Sequence, residues 1–173
     1  VRLATGATAN SLYYFLGAYG PSADGVAISG GEAFETVFRV VSTNGLRISF
    51  GFHDNSTVAY AGTDVVSIRT GRNSGEWNVL EGVCRFNSTE TATSTSYSIQ
   101  TNVWYIASGY IATNLSTANF SLRLFSDNSV LWTNSVSTNI PNGNTRLTAG
   151  LFGASSTNGS TTLIDLDSIY LRL

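Results

Sequence analysis

The sequence predicts an all-β protein built from two packed antiparallel sheets, and three observations carry that reading. Apolar residues recur at every second position through most of the chain, while no stretch of about eleven residues keeps an i, i+3, i+4, i+7 apolar face free of Gly, Thr or Ser. The apolar runs are short, and clusters of Gly, Asn, Asp and Ser, the residues that accept turn geometry, separate them. Charged residues make up 12%, about half the usual share, while 23 Ser, 21 Thr, 15 Asn and 17 Gly crowd a chain of 173. Nine Phe, eight Tyr and three Trp supply the material of a core and exclude a disordered chain.

Eleven strands are expected. Ser11 to Tyr19 ends at Gly20-Pro21-Ser22. Phe34 to Ser42 alternates Phe34, Thr36, Phe38 and Val40 on a core face against Glu35, Val37 and Arg39 behind. Thr43-Asn44-Gly45-Leu46 holds the Asn-Gly pair of a tight hairpin, so Leu46 to His53 is expected to pair with the strand before it. Asp54-Asn55-Ser56 closes that strand; Val65 to Thr70 follows, and Gly71 to Gly75 turns the chain into Trp77 to Phe86. There Leu80, Gly82, Cys84 and Phe86 alternate inward, and Cys84, the single cysteine, reads as a small hydrophobe. Asn87 to Ser98 reads as a loop and an edge strand, with strand proper at Thr95 to Ile99. Trp104 to Ala112 and Phe120 to Ser126 come next. Ser126-Asp127-Asn128-Ser129 makes a second hairpin to Val130 to Thr138. Thr145 to Gly153 and Thr161 to Leu173 complete the set, divided by Thr157 to Ser160. In the last strand a bulge near Asp167 or Ser168 would turn Leu166, Ile169, Leu171 and Leu173 all inward.

At 173 residues one domain is expected, 1–173, with 1–30 as an N-terminal arm or first strand. A chain beginning at Val1 with no methionine reads as a piece of a longer polypeptide. Net charge is −2, with nine Arg, no Lys and no basic run, which disfavours nucleic acid as a partner. The longest apolar runs, such as Leu12 to Ala18, fall far short of the roughly 18 residues of a membrane helix, so membrane insertion is not expected. Five Asn-x-Ser/Thr sequons, at Asn55, Asn87, Asn114, Asn119 and Asn158, match the frequency that composition alone gives.

Catalytic and metal-binding chemistry finds little support. The one histidine, His53, has no Gly-x-Ser-x-Gly elbow to activate and reads as a surface residue at a strand end. Glycoside hydrolysis needs two carboxylates roughly 5 to 9.5 Å apart. Asp165 and Asp167 are the closest such pair, and they read better as loop-anchoring or turn-capping groups. One His and one Cys exclude a structural zinc, no calcium-loop spacing occurs, and Gly30-Gly31 lacks the Lys of a phosphate loop. A lone Ca²⁺ on loop carbonyls with Asp24, Asp54 or Asp127 is the weaker alternative; no cofactor or metal is expected. Glycan binding needs an aromatic platform with a few convergent polar groups. Tyr60 and Trp77, with Asp54, Asn55, Arg72 and Asn73 nearby in sequence, are the candidates, against the competing reading of Trp77 as core.

The order Gly51-Phe52-His53-Asp54, the Trp77 strand, Thr91 to Thr95, Val103-Trp104-Tyr105, Phe120-Ser121-Leu122, Leu131-Trp132, Ser137 to Pro141, Ala149-Gly150-Leu151-Phe152 and Ile164 to Leu171 resembles a known family. It is similar to the concanavalin A-like (laminin-G-like) jelly-roll domains of tailed-phage virion proteins, over about residues 34 to 173. The resemblance implies a two-sheet antiparallel jelly roll and a non-enzymatic virion structural protein, such as a capsid decoration or a head- or tail-fibre domain. It further implies a homotrimer at the virion surface, contacts with other virion proteins and binding of host-surface glycans. That family has no fixed ligand motif, so no site residue comes from it. The alternative expectation is an extracellular carbohydrate-binding module of a secreted enzyme.

Overall fold

The computed structural model describes residues 1–5, 12–16, 26–42, 45–54, 62–70, 77–142, 147–156 and 161–173. Among these residues two antiparallel sheets account for the regular structure and there is no helix. One sheet has six strands in the order β1 (Arg2–Ala4), β13 (Leu163–Arg172), β4 (Ala33–Val40), β9 (Trp104–Ile111), β10 (Ala118–Leu124) and β11 (Val130–Val136). The other has seven, ordered β2 (Leu12–Leu16), β12 (Leu147–Ser156), β5 (Leu46–His53), β6 (Val65–Thr70), β7 (Val79–Phe86) and β8 (Thr89–Ser98), with β3 (Val26–Ala27) also paired to β12. Each sheet collects strands that are distant in sequence, and the chain crosses between the sheets, which is the winding of a jelly roll.

The inward residues are those that alternation selects. Phe34, Phe38 and Val40 of β4 meet Ile48, Phe50 and Phe52 of β5 across the interior, with Phe38 and Phe50 ring centres 5.5 Å apart and Phe34 and Phe52 5.9 Å apart. Burial of rings of this size supplies most of the force holding the two sheets together. Like Gly109 of β9, whose Cβ would overlap the ring of Phe34, Gly82 of β7 is an inward position where a side chain is not tolerated: a Cβ there would overlap the ring of Phe120 on β10. Cys84 beside it is fully buried in the core, and burial pushes its thiol up to about 12, so it acts as the small hydrophobe expected. On the β8 side, Thr91 and Thr138 hydroxyls bond at 2.8 Å, Asn139 donates to Thr91 at 2.9 Å, and Asn134 donates to Thr93, joining β8 to β11 and the segment after it.

Several expectations need correction. Thr43-Asn44-Gly45-Leu46 does not make a hairpin between paired strands: β4 and β5 belong to different sheets, and the connection crosses the sandwich. An Asn-Gly pair marks a reversal but not its plane, and the two apolar faces gain more by meeting across the core than by lying side by side. The Ser126 to Ser129 hairpin does join β10 to β11. Residues Asn87 to Ser94 are not a loop, because Asn87 (φ 49°) and Ser88 (φ 66°) alone turn β7 into β8, both in the left-handed region of a type I′ turn. Of the arm or first strand expected for 1–30, the described residues form strands, three of them: β1 against β13, and β2, within the Ser11 to Tyr19 expected, and β3 against β12. The bulge in β13 falls between Leu166 and Ser168; Leu166, Ile169 and Leu171 turn to the core, whereas Leu173 is exposed. His53 is not on the surface but 2% exposed.

Candidate functional site

Of the six residues expected to form a glycan site, Asn55, Tyr60, Arg72 and Asn73 lie outside the described residues. Asp54 and Trp77 are not brought together. Asp54 follows β5 at the Val65 end of β6, and Trp77 precedes β7 at the Thr70 end, about 17 Å apart along the strand. Asp54 is tied into its own loop: its N–H donates to the Asp64 carbonyl at 3.1 Å and its carboxylate accepts from Thr63 Oγ1. Trp77 is half-buried against the core.

The outward face of the seven-stranded sheet carries a concentration of charge. Arg69 of β6, 6% exposed, donates to Glu81 of β7 at 3.0 Å and to both oxygens of Glu90 on β8, at 2.7 and 3.0 Å. Arg85 adds a second cation on Glu90 and reaches the Gly62 carbonyl at 2.8 Å. Burial alone would raise the Glu90 carboxyl, but hydrogen bonds from Arg69 and Arg85 outweigh it and hold it at about 2. In the row beside them His53 Nε2 meets Ser49 Oγ at 3.2 Å, while His53 Nδ1 and Ser67 Oγ have no hydrogen-bond partner. Burial first, then the charges of Arg69 and Arg85, lower His53 to about 3, so it is neutral at ordinary pH. Arg69, His53, Ser49 and Ser67 are buried, Glu81, Arg85 and Glu90 are mostly covered, and the charges compensate one another, which makes a structural network rather than an open site.

The outward face of the six-stranded sheet is open. It holds a groove of about 630 Å³ lined by residues of β4, β9, β10, β11 and β13. Register puts Tyr170, Glu35, Ser108, Ser121 and Thr133 side by side, one on each of β13, β4, β9, β10 and β11. Tyr110 and Tyr170 are 37% and 58% exposed, an aromatic surface at the groove that no core demands. Ser108 and Ser121 hydroxyls lie 2.8 Å apart, and Ser135 Oγ donates to Asn119 Oδ1 at 2.8 Å.

The charges around the groove are fixed in place. Arg123 donates to Glu35 at 2.6 Å and to Asn128 at 2.7 Å; Asn128 sits at φ 61° in the β10–β11 turn, where Asp127 accepts from the Ser129 N–H. Arg172 donates twice to the Gly31 carbonyl, at 2.9 and 2.6 Å, and lies 5.5 Å from the Tyr110 ring centre. Gly30 and Gly31, both at positive φ, are thus no phosphate loop. The buried Glu32 carboxylate accepts from Ser29 and Gly30 N–H groups and holds the turn that presents this carbonyl. Further along the same face Asp165 accepts from Arg2 at 2.6 and 2.9 Å and from Arg39 at 2.5 Å. The Arg2 hydrogen bonds, set against partial burial and joined by those from Arg39, hold its carboxyl well below the usual carboxylate range. Asp165 is therefore neither a loop anchor nor a group able to donate a proton, and Asp167 lies exposed in the bulge. Glu35 is the only carboxylate among the described residues lining the groove.

Sequence reasoning missed this groove because each contributing residue looks like an ordinary solvent-side Ser, Thr or Tyr. The signal was present as alternation, Ser108 with Tyr110, Asn119 with Ser121 and Thr133 with Ser135, but only the pairing register aligns them.

Sheet order and the groove together define a concanavalin A-like jelly-roll sandwich. A β-glucanase from Bacillus licheniformis has a similar fold, at 12% identity over 98% of this chain and 77% of that one, with a TM-score of 0.61. So does a legume lectin-like domain from Entamoeba histolytica, at 10% identity over 97% and 81%, TM-score 0.59. The chain belongs to the SO2946-like, C-terminal domain family, whose model matches residues 1–168. Protein SO2946 from Shewanella oneidensis MR-1 is similar over 98% of this chain and 67% of that one, at 15% identity and a TM-score of 0.68. No curated protein matches the chain. At these identities the likenesses speak for the fold alone.

Proposed function

We propose that this chain is a non-catalytic carbohydrate-binding domain whose site is the groove on the outward face of the six-stranded sheet. The observation that carries the proposal is an open groove floored by hydroxyls and amides, with exposed Tyr110 and Tyr170 at its side. Sugars are recognised by that pairing: a ring face covers the apolar side of the pyranose while short polar side chains exchange hydrogen bonds with its hydroxyls. The non-catalytic part rests on Glu35, engaged by Arg123 and the one carboxylate among the described residues lining the groove, where glycoside hydrolysis requires two.

The virion-surface, homotrimeric setting that the resemblance implies is proposed as the context, with an extracellular binding module as the alternative. Its support is a lysine-free surface rich in amides and hydroxyls, which suits the wet contacts of an assembled particle. Solution mass separates the two, a trimer supporting the virion setting and a monomer the module. The binding site itself is tested on an array of neutral and acidic glycans, comparing the natural chain with the Tyr110→Ala/Tyr170→Ala double variant. Both side chains are exposed, so the variant keeps its fold. Glycan binding should fall at least tenfold; retention of binding by the double variant, or none by the natural chain, would overturn the proposal.

A further inference from the structure

We infer that the groove takes a linear, uncharged polysaccharide chain lying across the strands, one sugar residue to each strand. This inference rests on the carbohydrate-binding reading above and adds the ligand's class and direction. Tyr170, Glu35, Ser108, Ser121 and Thr133 are direct register partners in turn, so their spacing is the spacing of the strands. Neighbouring strands lie about 4.8 Å apart, and five of them make a ladder about 19 Å long. A fully extended sugar chain repeats on the same scale as one strand step, so successive residues can each meet one polar rung of the ladder, a hydroxyl at every strand but β4, where the rung is the Glu35 carboxylate.

Each serine or threonine hydroxyl has one proton and two lone pairs, so Ser108 and Ser121 retain capacity beyond the bond between them. The direction follows from what lies beside the ladder. On one side of the ladder the next outward residues are Val37 on β4 and Ile106 on β9, which offer a sugar no hydrogen bond; on the other, Tyr110, Asn119 and Ser135 form a second polar row that also runs across the strands. The absence of charge on the ligand follows from the cations. Arg123 is paired with Glu35 and also bonds Asn128, while Arg172, which keeps its charge, stands outside the ladder row, held against the Gly31 carbonyl and the Tyr110 ring, so among the described residues the row itself presents no unpaired cation. A carboxylate or sulfate on the ligand would instead meet Glu35.

Calorimetric titration of the whole chain tests this with β-1,4-linked oligomers of glucose, mannose and xylose, from the monosaccharide to the hexasaccharide, and with oligogalacturonates as the acidic series. Affinity for at least one neutral series should rise at least tenfold from disaccharide to pentasaccharide and then level off. Ser121→Ala, in the middle of the ladder, should weaken the pentasaccharide several-fold while leaving thermal stability unchanged. Equal affinity for monosaccharide and pentasaccharide would overturn the linear-chain inference and leave carbohydrate binding standing. Preference for the oligogalacturonates would overturn the uncharged class. Failure of every sugar to bind would overturn both this inference and the reading on which it rests.

Discussion

Replacing Arg69 by Met should lower the unfolding free energy by about 3–5 kcal/mol, the loss expected when one member of a buried ion pair is removed. Arg69 is 6% exposed and pairs with two carboxylates, Glu81 and Glu90, themselves only 12% and 15% exposed. Met fills a similar volume, so the loss reports charge rather than a cavity. Glu81→Gln should cost markedly less, since Arg69 keeps both of its hydrogen bonds to Glu90. Urea unfolding of the two variants checks the order. Equal losses, or a loss below about 1 kcal/mol for Arg69→Met, would mean that the network behaves like an exposed surface pair.

The second large effect is acid sensitivity, and His53 dominates it. Its folded value, about 3, lies below the ordinary 6.5 of an unfolded chain, because burial and then Arg69 and Arg85 oppose a positive charge there. Between these values the unfolded chain binds more protons than the folded one. The stabilising contribution is complete above pH 6.5 and is lost as the pH falls toward 3. The slope is about 1.4 kcal/mol for each pH unit, so about 3 kcal/mol is lost between pH 7 and pH 4.5. Glu90 and Asp165, whose folded values are lowered, add their own losses only as the pH falls below the ordinary carboxylate range. The interval from about pH 6.5 to 4.5 therefore isolates the histidine. His53→Gln should flatten the stability profile across it, whereas an unchanged slope in the variant would assign the acid loss to another group.

Much of the fold was legible because its information is local. Alternation in Phe34 to Val40 marks the core face of β4, and the run Leu166 to Leu171 announces its bulge, since otherwise Ile169 would face water. What was not legible was long-range. Nothing in Arg2 to Ala4 shows that three residues pair with Leu163 to Asp165, and Asn44-Gly45 marks a reversal without saying which sheet receives the chain. The site was harder still. Tyr60 and Trp77 stand out in the sequence as large aromatics beside loops, yet Asp54 and Trp77 stand at opposite ends of β6, because a strand separates residues that a linear reading places close together. The groove residues, Glu35, Ser108, Ser121 and Thr133, come from four segments that only strand pairing aligns. His53 misleads for a related reason: the outward side of β5 and β6 is buried as well, with Ser49, Ser67 and Arg69 beside it, so a polar residue at a strand end need not reach water.

The most direct test of the groove as the binding face is an amide chemical-shift titration of the isotopically labelled chain with the best-binding neutral oligosaccharide. Shifts should cluster on β4, β9, β10, β11 and the Tyr170 end of β13, leaving the amides around Arg69 and His53 on β5 and β6 unmoved. A cluster on β5, β6 and β7 instead would contradict the assignment and move the binding face to the opposite sheet.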